Sequence, residues 1–130
     1  MRVALLATAL LASLAAACSG PTTGTVNGGI QPCSALPLAN EPHYAAGTVS
    51  VLAGQVTWRS LGAGSWQAVL PTRVVVSERV GVDANYSFAL PSGRYVLAGY
   101  QTGEPGFPRW VEVTVHAGQT VDEDIPNTCM

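Results

Sequence analysis

The sequence predicts an all-β domain, a sandwich of about seven antiparallel strands. Three observations carry this. Beyond residue 24 no segment sustains a helical apolar period, whereas short runs rich in Val, Thr, Tyr and Trp alternate in steps of two. The chain of 130 residues holds 14 Gly and 9 Pro, a density of chain-reversing residues that suits many short strands. Hydrophobic residues make up 48% against 11% charged, enough apolar surface for one packed core and too little charge for disorder.

The strands follow in order. A first strand region leads to Ile30-Gln31-Pro32 and ends at Cys33. "GTVSVLAGQVTWRS" (47–60) reads as one strand or a pair, with Ala53-Gly54 marking a bulge or a tight turn. Trp58 shares the parity of Val56 and is expected in the core. "RVVVSERV" (73–80) is a strand, and "GVDAN" is a polar turn into "YSFAL" (86–90). "PSG" (91–93) is a tight turn, followed by "RYVLAGY" and a Pro/Gly-rich loop, "QTGEPGFP" (101–108). "RWVEVTVH" (109–116) is the cleanest alternation, with Val111, Val113 and Val115 inward and Trp110, Glu112, Thr114 and His116 outward. "AG" turns the chain into "QTVDEDI" (119–125). There the parity that buries Val121 and Ile125 also points Glu123 inward. A lone buried carboxylate is costly, so a bulge, an edge position or an arginine partner is expected. Strands 73–80, 86–90, 93–100, 109–116 and 119–125 are all expected to pair antiparallel. The size fits an immunoglobulin-like sandwich.

The N-terminus is a separate segment. Met1-Arg2 followed by an apolar run to Leu14 and then Ala15-Ala16-Ala17 has the layout of a signal peptide over residues 1–17. The run is too short to span a bilayer, which takes roughly 20 apolar residues. Cleavage before Cys18 has two readings, a soluble product or a lipidated one. "LAAAC" resembles a bacterial lipobox, with Ala15 where Leu is usual and Leu14 one step earlier. Cysteine arithmetic favours lipidation. A soluble product would carry three cysteines into an oxidising compartment, whereas acylating Cys18 leaves Cys33 and Cys129 as a pair. Residues 18–24 then form a lipidated flexible tether and 25–130 the sandwich. The expected location is extracytoplasmic, anchored to the bacterial membrane through Cys18, stably if two or more acyl chains are added.

The motif "NYSFALPSGRYVLAGY" followed by "VEVTVHAGQTVDEDIP" resembles the carboxypeptidase regulatory-like, or prealbumin-like, domain of secreted bacterial proteins. The family pattern is an aromatic-x-aromatic-x-Leu-Pro-x-Gly-x-Tyr hairpin, then a strand, an Ala-Gly turn and a last strand. It covers about residues 73–126. The resemblance implies a seven-stranded antiparallel sandwich that serves as an accessory or structural module. Residue parity agrees, because Tyr86, Phe88 and Leu90 share one face and Tyr95 and Leu97 continue it past the turn.

Residues that could carry chemistry are few. Ser65 in "GAGSW" lacks the flanking glycines of a nucleophile elbow. His43 and His116 are two histidines in separate contexts, short of the three or four ligands zinc takes. Asp122 and Asp124 alternate with Glu123, so this triplet does not converge on a cation and reads as solvated acids. The prealbumin-like hydrolase of 5-hydroxyisourate ends in Tyr-Arg-Gly-Ser, and this chain ends in "IPNTCM". The "NYS" sequon at 85–87 has no meaning in a bacterial lipoprotein. No catalytic residue, metal or cofactor is expected. A net charge of −2 and six scattered arginines without lysine leave no footprint for nucleic acid.

The expected function is a non-enzymatic structural or interaction role at the cell envelope, performed by a monomer with an envelope protein or glycan as partner. The alternative is an extracellular module that binds a glycan or peptide through Trp66, Phe107, Arg109 and Trp110. Those aromatics would otherwise serve as lids on the sandwich edge.

Overall fold

The computed structural model describes residues 20–33, 43–103 and 108–127. Cys18, Phe107 and Cys129, and with them the signal-peptide reading, lie outside the described residues. The strands in chain order are β1 (Thr23–Gly28), β2 (Gly47–Ala53), β3 (Thr57–Gly62), β4 (Ser65–Val69), β5 (Val74–Val80), β6 (Tyr86–Pro91), β7 (Gly93–Gln101), β8 (Arg109–Val115) and β9 (Thr120–Asp122). Seven of the nine form two sheets, ordered β6-β1-β9 and β5-β2-β7-β8. The other two, β3 and β4, pair as a separate hairpin. β1 begins at Thr23, so two residues of the expected tether belong to the domain.

Alternation explains how the two sheets bury a common core. Val26 sits between Phe88 and Val121 in the three-stranded sheet and is fully buried. Leu97 sits between Val51 and Val111 in the four-stranded sheet and is equally buried. Tyr86, Phe88 and Leu90 from one sheet pack with Val49, Val51, Tyr95, Leu97, Val113 and Val115 from the other. Ile30, Ala45 and Ile125 belong to the same cluster, joined through the isolated bridges of Ile30 with Ala45 and Ile125. The inward set expected along 109–116 is met: Val113 and Val115 are buried and Val111 packs against the core.

A second apolar layer lies outside the four-stranded sheet. Leu52, Val96 and Ala98 alternate with the core residues, so they point to the opposite face. There they pack with Val56, Ala68, Leu70 and Trp110, residues in and around the β3–β4 hairpin and at the start of β8. The unbroken apolar run Tyr95–Gly99 is the sequence trace of this arrangement, since a strand covered on both faces has no polar side to show.

Two expectations about pairing and one about burial are corrected. The "LPSG" turn joins no hairpin: β6 pairs with β1, whereas β7 pairs with β2 and β8. Tyr86, Phe88 and Leu90 therefore meet Tyr95 and Leu97 across the core, from opposite sheets. β9 pairs parallel with β1, because the Ala117-Gly118 turn carries the chain from one sheet to the other. Trp58 is not core; it is 59% exposed, because β3 belongs to the hairpin and to neither sandwich sheet.

The Glu123 conflict resolves at the backbone. The strand ends at Asp122, and Glu123 is only half-buried. Its N–H donates to Asn27 O at 2.8 Å, and its carbonyl accepts from the Tyr86 hydroxyl. Gly28 must be glycine here, since a Cβ would run into that carbonyl and the Tyr86 hydroxyl. Asp124 is no solvated acid. Its Oδ1 accepts from Gly29 N at 3.0 Å and its Oδ2 from the Tyr44 hydroxyl at 3.4 Å.

Candidate functional site: a tryptophan cleft

The hairpin is built by its turn. Gly62, Ala63 and Gly64 all take positive φ, of 88°, 51° and 78°. Two glycines make that reversal accessible where most side chains would strain it. The register then sets Trp58 opposite Ala68 and Ser60 opposite Trp66, so both indoles occupy the same hairpin face on a diagonal. Arg59 and Gln67 stand opposite each other on the reverse face, and Arg59 Nη2 donates to Gln67 Oε1 at 2.6 Å.

Trp110 completes the group. It lies opposite Ala98 on the outer face of the four-stranded sheet, and its ring meets Trp58 edge-on at a centroid distance of 6.3 Å. The protein has three tryptophans, and all three gather here. Trp66, Gln67, Ala68, Leu70, Pro108 and Trp110 line a cavity of about 310 Å³. None of these residues is ionisable. Trp66 is 62% exposed, so one wall of the cleft is aromatic surface that folding leaves in water.

β4 adds polarity to this surface. Among the described residues it pairs only with β3, so its other edge presents backbone N–H and C=O groups with no ladder partner among them. The Glu112 carboxylate secures the approach to the hairpin, with Oε1 accepting from Val56 N at 3.2 Å. A second cavity, also about 310 Å³, borders Gly54, Gln55, Arg94, Tyr95, Glu112, Val113 and Thr114. Its carboxylate already holds the Val56 amide, which gives Glu112 a structural task.

The structure joins Trp66 and Trp110 of the expected ligand patch and separates Arg109 from them. Arg109 lies opposite Gly99, and consecutive strand residues point to opposite faces, so it forms no wall of the cleft. Phe107 is outside the described residues. Gln67, Ala68, Leu70 and Pro108 were not singled out by sequence. The parity of "WQAVL" is the signal that would have aligned Trp66, Ala68 and Leu70, but only once β3 and β4 are known to form their own hairpin.

The remaining candidates are dispersed. Ser65 opens β4 and is exposed, His116 is exposed after β8, and His43 lies beside Tyr44 in a segment whose amides bond Asp83 Oδ1. Among the described residues no three His, Cys, Asp or Glu side chains gather as a metal site. Among those residues, too, no helix is long and apolar enough to cross a membrane. The Tyr44 phenol is pushed up in pKa, first by burial and then by its bond to Asp124. Burial pushes Tyr86 up as well, reinforced by the charges of Asp124 and Glu123. Both phenols stay protonated and act as hydrogen-bond donors.

Cys33 is disulfide-bonded and lies in the same neighbourhood as the C-terminal segment. Its Sγ is 3.4 Å from Asn127 Oδ1, and Asn127 Nδ2 donates to Pro32 O. No protein-family model, curated protein or solved structure matches this chain.

Proposed function

We propose that this chain is a non-enzymatic binding module of the bacterial cell envelope, anchored through a lipid on Cys18 and engaging its partner at the tryptophan cleft. One observation carries the reading: Trp66 and Trp110 line one cleft and Trp58 meets Trp110 edge-on beside it, while the core between the two sheets is complete without them. A large apolar residue left in water is informative where several are contiguous, because such patches mark interaction sites. A module with a purely structural role has no use for Trp66 at the rim. The carboxypeptidase regulatory-like resemblance supports an accessory role, and the lipobox-like "LAAAC" supports the anchor.

The test compares wild type with a Trp58→Ala/Trp66→Ala double variant, each immobilised and exposed to solubilised native envelope. Both side chains are exposed, so the variant keeps the core. The expected result is a component retained by wild type and lost from the variant. An identical retained set would refute the cleft as the binding surface.

A further inference from the structure

We infer that the tryptophan cleft takes a neutral carbohydrate, stacked on the indoles of Trp66 and Trp110 and hydrogen-bonded to the edge of β4 that faces away from β3. This rests on the binding role proposed above and specifies its ligand class.

Among the described residues the lining carries no charge: Trp66, Gln67, Ala68, Leu70, Pro108 and Trp110 offer no ionisable group, so an ionic ligand would lose hydration and gain no charged partner from these walls. The lining also argues against a purely apolar ligand. Trp66 is 62% exposed, and an acyl chain lying against it would keep much of its own surface in water. The edge of β4 would moreover lose water from its backbone groups without replacement. What fits is a molecule with a flat apolar face and a perimeter of groups that both donate and accept. A pyranose ring has this form. Its axial C–H groups carry partial positive charge and suit the negative face of an indole. Its hydroxyls can meet both the N–H and the C=O groups of a strand edge, and the indole N–H groups add donors.

Size separates this ligand from a peptide. A strand added along all five residues of β4 would run about 17 Å. The cleft, at about 310 Å³, sits at the small end of ligand sites, which span roughly 300–1,000 Å³. That is room for a short saccharide.

The full-length chain, purified from envelope in a detergent without a sugar headgroup, is applied to a glycan array and to an array of short peptides. The expected result is binding to at least one uncharged glycan. Titration of that glycan should change tryptophan fluorescence saturably. Trp66→Ala should weaken the affinity at least about tenfold, as for an aromatic anchor of a binding site, and Trp66→Phe should recover part of the loss. Far-UV circular dichroism checks that each variant is folded. Binding only to acidic glycans, or only to peptides, overturns the neutral-carbohydrate assignment and leaves the cleft as a binding surface if Trp66→Ala abolishes it. Binding to neither array overturns the assignment and the binding role together. Glycan binding unchanged in Trp66→Ala overturns this site.

Discussion

Truncating Phe88 to alanine tests the sandwich at its most exacting point. The ring is 4% exposed, lies opposite the fully buried Val26, and stacks on Tyr86 at a centroid distance of 5.4 Å. Its neighbours come from both sheets and are held by ladder hydrogen bonds, so they cannot collapse into the vacated space. A large-to-small change of this kind costs about 3–5 kcal/mol, and the lost aromatic pair favours the upper half of that range. With a urea slope near 2 kcal/mol/M, the midpoint should fall by about 1.5–2.5 M. The melting temperature should drop by at least about 12 °C. Urea titration followed by far-UV circular dichroism measures this, since the tryptophans lie in the outer layer and report poorly on the core. Leu61→Ala, at a residue 60% exposed on the hairpin, is the control and should stay within about 0.5 kcal/mol of wild type. A Phe88→Ala loss below about 1 kcal/mol would refute the packing of β6 against the four-stranded sheet.

Other outcomes follow from the same contacts. Tyr86→Phe should cost about 1–3 kcal/mol at neutral pH, because the Glu123 carbonyl loses its donor. Tyr86 has a folded pKa raised above the ordinary value of 10.0, so stability is full below that pH and falls as pH rises through it. Tyr86→Phe should flatten that alkaline decline in a stability-against-pH series, leaving the part due to Tyr44, and an unchanged slope would contradict the assignment. Cys18→Ser should release the protein from membranes, and intact mass of the native protein should show a diacylglyceryl group; a mass equal to bare residues 18–130 would refute lipidation. Cys33 should pair with Cys129, closing a loop of roughly 95 residues worth about 4–5 kcal/mol in the chain-entropy model. Non-reducing electrophoresis with thiol counting checks this, and two free thiols or a reducible dimer would refute it.

Much of the architecture was legible in the sequence because strand periodicity is a local signal. Val111, Val113 and Val115 face the core as their alternation requires, and the turns at 81–85, 91–93 and 117–118 stand where Gly, Pro and Asn place them. Pairing was less legible. Whether Leu-Pro-Ser-Gly folds a strand back beside its predecessor or carries it to the facing sheet leaves the same side chains buried. Parity alone therefore cannot separate a hairpin from a sheet-to-sheet crossing. Trp58 failed for a related reason. Its parity with Val56 holds meaning only within one continuous strand, and the chain turns out of the sheet at Gly54, whose φ is 124°, before β3 begins. The cleft inherits that difficulty, because Trp66 and Trp110 are 44 positions apart and meet only after the hairpin folds onto β8.

The division of labour between the layers follows from which contacts each one owns. Seven strands bury Val26, Leu97 and their neighbours without help from the hairpin, and the last strand is held by Tyr86, Asn27 and Gly29 through Glu123 and Asp124. The hairpin contributes little to that core. It covers Val96 and Ala98 and holds two tryptophans out in water. Covering a strand face needs only small apolar residues, and Ala68 and Leu70 meet that need. Trp58 and Trp66 exceed it, with large rings that gain little by burial where they stand. Aromatic surface of this kind, placed on an added hairpin beside a cleft whose described lining is uncharged, is the surface on which the proposed binding role rests.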